Sequence, residues 1–283
     1  VSTIAMTLFT SRPVGDAMAT TIWGTSSSWT LTALPLFVWM GEILFRTKLS
    51  ENLFEGLSPW MQKLPGGLIQ VNVVGCALFA AISGSSAATV ATVGKMSIPE
   101  LRKRNYPEKI LLGSLAGSGT LGLLIPPSII LIIYGVTVQE SIAKLFVAGI
   151  IPGIMIALIF MGYVILWSLF NKKDMPIILT NYSFGEKIKR SGQLIPVILL
   201  IISVIGSIYT GIATATEAAS LGVVGALILS YFQRSLNWNT FKNSLLGATI
   251  TSCMISFILA GSAFLSLAMG FTGLPRNLAL WIN

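Results

Sequence analysis

Histidine is absent from the 283 residues, and cysteine occurs only twice, at Cys76 and Cys253, each inside an apolar run. The first absence removes the commonest general base and the commonest transition-metal ligand. Two isolated thiols offer neither a disulfide framework nor a metal-ligand spacing. Charge is also scarce, at 10% of residues against 54% hydrophobic, with a mean hydropathy of +0.82. Ordinary soluble domains carry roughly 25% charged residues, so there is too little polar surface to cover a water-soluble globule. The short alternating segments of a transmembrane β-barrel are missing too. The formal charge of +8 raises nucleic acid as a partner. The bases, however, sit in loops beside apolar runs, which points to membrane topology and no nucleic acid.

What the chain does contain is a series of long, nearly uncharged runs, such as residues 145–170 and 194–209. A bilayer core needs roughly 20 apolar residues per helical crossing. The expected class is an all-α polytopic membrane protein. No cleavable leader is legible and both ends look cut, so a fragment of a longer protein is expected.

Bases cluster at 95–109 (Lys95, Arg102, Lys103, Arg104, Lys109) and at 172–190 (Lys172, Lys173, Lys187, Lys189, Arg190). The positive-inside rule places both clusters in the cytoplasm, with crossings at about 110–134 and 145–170 between them and residues 135–144 in the periplasm. Further crossings are expected at 194–209, 218–232 and 245–271. Residues 31–45 are short for a crossing and meet a mixed-charge stretch. Its apolar residues Leu49, Leu53, Phe54, Leu57, Trp60 and Met61 recur at helical spacing, which predicts a helix lying in the interface.

Residues 68–93 are the anomaly: if the loops on both sides of them are cytoplasmic, they must enter and leave on one side. Their second half, "AAISGSSAATVATVG", holds two glycines and five hydroxyl side chains without a charge. Either this is a re-entrant hairpin or a plain helix with a small-residue packing face. A second stretch favours the hairpin: "GSLAGSGTLGLLIPPSIILIIYG" sets Gly117, Gly119 and Gly122 before Pro126 and Pro127. Each proline lacks an N–H and clashes one turn back, which predicts a kink or a crossing unwound near the midplane. Unwound helices expose carbonyls and helix ends at the ion and substrate sites of transporters.

At these residues the sequence resembles the large membrane (permease) subunit of TRAP, tripartite ATP-independent periplasmic, transporters. "LPGGL", "FAAISGSSAATVATVG", "IPELRKRNY", "GTLGLLIPPSIILIIYG", "SIAKLFVAGIIPGI", "YTGIATATEAASLGVVGALIL" and "TGLPRNLALWI" fall in family order across nearly the whole chain. One departure is Ala215, where the family pattern has proline.

The resemblance implies an inverted-repeat, elevator-type transporter with a re-entrant hairpin and a broken helix in each repeat, the second repeat being incomplete here. The implied divisions are 1–66 (N-terminal membrane and interfacial helices), 67–135 (hairpin and broken helix), 136–190 (crossing and cytoplasmic loop) and 191–283 (start of the second repeat). It also implies a bacterial inner (cytoplasmic) membrane location, a small TRAP membrane subunit and a periplasmic substrate-binding protein as partners, and membrane lipid around the chain. The implied function is uptake of C4-dicarboxylates or related organic acids, with no cofactor and with Na⁺ as coupling ion.

The candidate ion and substrate site is Ser83, Gly84, Ser85 and Ser86 against Gly119, Thr120, Pro126, Pro127 and Ser128, with Na⁺ held through Ser83, Ser86 and Gly119. Catalytic residues are not expected. An intramembrane hydrolase would need Ser85 or Ser86 beside a buried neutral lysine such as Lys95, yet Lys95 opens a basic loop. A passive channel or scaffold is the other alternative. Glu42 and Glu217 are candidate intramembrane carboxylates or helix-end groups. Asn72 either bonds the unwound segment or packs.

Overall fold

The computed structural model describes residues 1–11, 13–47, 49–176 and 182–282, and within them every regular element is helical. The chain begins with α1 (Ser2–Phe9), α2 (Val14–Ser26), a 3-10 turn at Trp29–Thr32 and α3 (Ala33–Phe45). Then come α4 (Leu49–Met61), α5 (Ile69–Ser83), α6 (Ser86–Lys103), α7 (Glu108–Gly119), a 3-10 turn at Thr120–Leu123 and α8 (Ile129–Val138). The remainder is α9 (Ile142–Phe170), α10 (Phe184–Ser191), α11 (Ile195–Tyr209), α12 (Ala215–Phe232), α13 (Trp238–Phe271) and α14 (Leu274–Ile282).

Among the described residues, three helices are long and apolar enough to cross a membrane: α9, α12 and α13. Two bent pairs reach crossing length together, α2 with the 3-10 turn and α3 at 51°, and α10 with α11 at 52°. Residues 31–45 thus gain length from the elements before them. The expected crossing at 245–271 begins earlier, at Trp238, because Asn237 caps the helix by accepting from the Thr240 N–H at 2.7 Å. The basic stretch at 95–109 also proves more helical than expected. The α6 helix runs through Pro99 to Lys103 and α7 starts at Glu108, leaving a short turn that the Arg102–Glu108 ion pair closes at 2.6 Å. Within the other basic loop, residues 177–181 lie outside the described residues.

The centre of the molecule is α3 and α5. The first packs against α5, α12 and α13, and the second against α6, α7, α4 and α9. Phe37, Phe79 and Phe146 are fully buried, and the Phe37 and Phe146 rings meet edge-on at 5.9 Å, locking α3 to α9. The α5 helix buries residues on all sides, as expected of a helix apolar all round at the middle of a bundle. By contrast, α9 and α13 leave Ile151, Leu158, Ile159, Phe257 and Ile258 exposed. So large an apolar surface suits acyl chains and would make a soluble monomer aggregate. The chain is a multi-pass membrane protein.

Candidate functional site

A turn of two residues joins α5 to α6. Gly84 sits in the left-handed region, with φ 58°, and its N–H closes α5 on the Ala80 carbonyl at 3.0 Å. Glycine is the residue that takes this conformation without strain. Ser85 then caps α6, its Oγ accepting from the Ala88 N–H at 3.4 Å. The arms run back along each other, since a Cβ on Gly75 of α5 would stand 3.6 Å from Val93 Cγ1 of α6.

Two hydroxyls and the Ser85 carbonyl knit this tip together. Thr89 Oγ1 donates to the Ser85 carbonyl at 2.7 Å and lies 3.0 Å from Ser83 Oγ, while the Ser83 hydroxyl also reaches the Ser85 carbonyl at 3.3 Å. Ser86 is different: it is half-buried, and its hydroxyl takes part in no hydrogen bond among the described residues. Thr92 Oγ1 is buried and has no hydrogen-bond partner among the described residues.

The second stretch breaks where the prolines stand. The α7 helix ends at Gly119, a tighter turn carries the chain to Leu123, and regular structure resumes only at Ile129. The Pro126–Pro127 peptide is cis. Ser128 spans the gap, its Oγ donating to the Leu123 carbonyl at 2.6 Å, and Thr120 Oγ1 donates back to Gly117 at 2.7 Å. Neither proline has an N–H to donate, and the carbonyls of residues 124–127 accept no hydrogen bond among the described residues.

The hairpin tip and the break touch each other. The Gly84 carbonyl accepts from the Ile129 N–H at 3.2 Å. A Cβ on Gly84 would lie 2.6 Å from the Pro127 carbonyl oxygen, and one on Gly122 would lie 2.8 Å from Ser85 C and Ser86 N. Gly119 faces Val90 and the Ser86 carbonyl, and the tip is backed by α3, where a Cβ on Gly41 would lie 2.9 Å from Ser83 Cα. The candidate residues at 83–86 and at 119–128 are therefore neighbours in space.

Four helix ends meet there: the C-termini of α5 and α7, which carry partial negative charge, and the N-termini of α6 and α8, which carry partial positive charge. Such a junction offers bare carbonyls to a cation and N–H groups to an anion. Its donor set is uncharged oxygen, which fits a hard monovalent cation better than a transition metal. Among the described residues no group of three or more His, Cys, Asp or Glu lies together to hold a metal.

The other sequence candidates fall elsewhere. Asn72 Nδ2 donates to Ser114 Oγ at 3.0 Å and the Leu111 carbonyl at 3.3 Å, so it joins α5 to α7 and leaves the unwound segment alone. Glu217 closes a capping box with Thr214 at the start of α12, with both contacts from Thr214 at 2.8 Å. Glu42 pairs with Arg46 at 3.0 Å one turn on in α3. Lys95 is nine residues beyond Ser86 on the same helix and exposed, roughly 13 Å along the axis, too far to act on that hydroxyl. Sequence reasoning missed Gly41 as the seat of the tip, because a lone glycine in an apolar run carries no signal of its partner.

The full chain, residues 1–283, matches the family described as tripartite ATP-independent periplasmic transporter, DctM component. The C4-dicarboxylate TRAP transporter large permease protein DctM of Pseudomonas aeruginosa is 31% identical over 268 residues, covering 94% of this chain and 62% of the relative. The protein of the same name from Rhodobacter capsulatus is 30% identical over 298 residues, covering 99% of this chain and 67% of the relative. The ectoine/5-hydroxyectoine TRAP transporter large permease protein UehC of Ruegeria pomeroyi is 32% identical over 253 residues, covering 88% and 58%. The chain spans about two thirds or less of the length of these relatives. It belongs to the TRAP large permease family.

Proposed function

We propose that this chain forms the translocating part of a sodium-coupled secondary transporter that takes up small organic acids handed over by a periplasmic binding protein. The observation that carries this reading is the direct packing of the hairpin tip, Gly84 to Ser86, on the broken helix between Gly119 and Ile129. Ser83, Ser86 and the backbone at Gly119 would hold Na⁺ there, with Ser85, Thr120, Pro126, Pro127 and Ser128 shaping the cradle and Gly84 letting it close. The ion supplies positive charge beside the N-termini of α6 and α8, where a carboxylate is favoured.

C4-dicarboxylates or related carboxylates are the proposed cargo, supported by two relatives named for them, while the ectoine relative shows that the family's substrates extend further. A small TRAP membrane subunit completes the proposed assembly in the bacterial inner membrane. The proposed motion is elevator-like, with 67–135 moving against a frame that includes α12 and α13. In an inverted-repeat arrangement, a second hairpin and break would complete the site. A passive channel or scaffold is the competing reading, and it has no need for a tip packed on a break.

The test is uptake into proteoliposomes holding the full-length protein and both partners. A C4-dicarboxylate should accumulate with sodium outside and stall when potassium replaces it. Equal flux under a proton gradient alone would reject sodium coupling, and downhill flux indifferent to any ion gradient would establish the channel. Sodium-driven uptake of another acid, without dicarboxylate uptake, would move the substrate class and leave the coupling intact.

A further inference from the structure

At the opposite end of α5 from the hairpin tip lies a cavity of about 320 Å³ that takes no part in the proposed transport site. It opens where α4 passes into α5 and where α9 ends, and two lysines line it: Lys63, just beyond α4, and Lys172, just beyond α9. No carboxylate lines it, and neither lysine forms an ion pair among the described residues. Two uncompensated ammonium groups around one hollow make an anion site by simple electrostatics.

Buried Tyr106 adds a directed donor. Its hydroxyl oxygen accepts from the Leu68 N–H at 3.1 Å, so its own proton is left to give, and burial pushes its pKa upward. Gly66 and Gly67, with φ 91° and 53°, let the chain pass close behind: a Cβ on Gly67 would lie 2.5 Å from the Tyr106 oxygen.

The remaining wall is apolar, including Leu169 and Met175. It continues onto the exposed face of α9 through Leu166, Leu169 and Phe170, the last of them 86% exposed. Basic pockets at the cytoplasmic boundary of a bilayer, with an apolar track leading from them, match a phospholipid's own layout of phosphate above and acyl chains below.

We propose that this cavity binds the phosphate of an anionic phospholipid of the cytoplasmic leaflet, held by Lys63, Lys172 and the Tyr106 hydroxyl, with its acyl chains lying along the Leu166–Leu169–Phe170 face of α9. The lipid would clamp the start of the hairpin's first arm to the end of the long crossing, on the side where the bases gather. A free anion satisfies the same lysines but leaves the apolar track unused.

The experiment is native mass spectrometry of the delipidated full-length protein, mixed with equal amounts of phosphatidylglycerol and phosphatidylcholine of identical chains. The parent should retain phosphatidylglycerol with about thirtyfold preference, the factor expected for two lysines near an anionic headgroup. Both lysines are exposed, so the double substitution Lys63→Gln, Lys172→Gln leaves packing intact. It should bring the preference close to parity, while Lys63→Arg with Lys172→Arg keeps it. The control pair Lys103→Gln, Lys109→Gln, outside the cavity, should also keep it. A parent without preference, or a glutamine pair that retains it, overturns the proposal. Inorganic phosphate displacing the lipid at millimolar concentration would show a free-anion site and overturn the lipid assignment.

Discussion

Two glycines of one hairpin show how differently the same residue works. Gly84 holds φ 58° with the Pro127 carbonyl where its side chain would be. Alanine there must bear the left-handed penalty of roughly 1–2 kcal/mol and also push the tip off the break. Gly84→Ala should therefore lower the melting temperature and abolish uptake, and unchanged melting would show that the tip does not need this contact. A Cβ on Gly75, in the middle of α5, would meet Val93 and Leu57 as its nearest neighbours at ordinary contact distance, 3.6 and 3.9 Å. Gly75→Ala removes backbone entropy from the unfolded chain and fills space, so a gain of about 0.5–1 kcal/mol is expected in thermal unfolding.

The serines separate in the same way. Ser86 Oγ is uncommitted, whereas Ser83 Oγ is engaged with Thr89 and Ser85. Ser86→Ala should raise the sodium concentration needed for half-maximal uptake several-fold at unchanged melting temperature. Ser83→Ala should raise it too, and in addition loosen the tip and lower the melting point. Sodium titration of uptake beside a melting curve distinguishes them, and unaltered sodium dependence in both variants would leave only backbone carbonyls in the proposal.

At the scale of the element, the start of α12 explains how the chain tolerates its departure from the family pattern. Thr214 is the N-cap, with extended backbone at φ −68°, ψ 164°, and Ala215 is the first helical residue. The first helical position suits proline, because its N–H has no partner inside the helix and φ near −65° is already helical. The extended conformation of Thr214 is also the one a following proline requires. Ala215→Pro should thus be accepted and stabilise by about 0.5–1 kcal/mol, read as a higher melting temperature with uptake unchanged. A lower melting temperature would mean that the Ala215 N–H or the local turn matters in a way the capping box does not show.

At the scale of the molecule, the hairpin has one testable consequence: both of its ends must face the same side of the membrane. In a version with Cys76 and Cys253 replaced, single cysteines at Lys103 and at Lys63 should resist an impermeant thiol reagent applied to intact cells, and one at Gln139 should react. All three positions are exposed, so burial does not confuse the result. Labelling at Lys63 with protection at Lys103 would make α5 and α6 a through-crossing and end the re-entrant reading.

Composition and patterning alone determined a good deal of this protein. A chain so poor in charge and so rich in long apolar runs has no solvent but a bilayer, and the helices followed because each backbone group must find its partner locally there. The break was legible because paired prolines after a run of glycines admit no continuous helix, and that break is what favoured a hairpin over a plain packing helix at 68–93. What only the tertiary structure decided is which small residues touch. Nothing in the sequence says that Gly84 meets Pro127, that Gly122 meets Ser85, or that Gly41, some forty positions earlier, seats Ser83. Nor does it say which hydroxyls are already engaged, since Ser83 and Ser86 read alike until Thr89 is folded back on one of them. Small residues leave weak traces in a sequence because their role is to leave space, and the neighbour that fills the space is known only once the helices have packed.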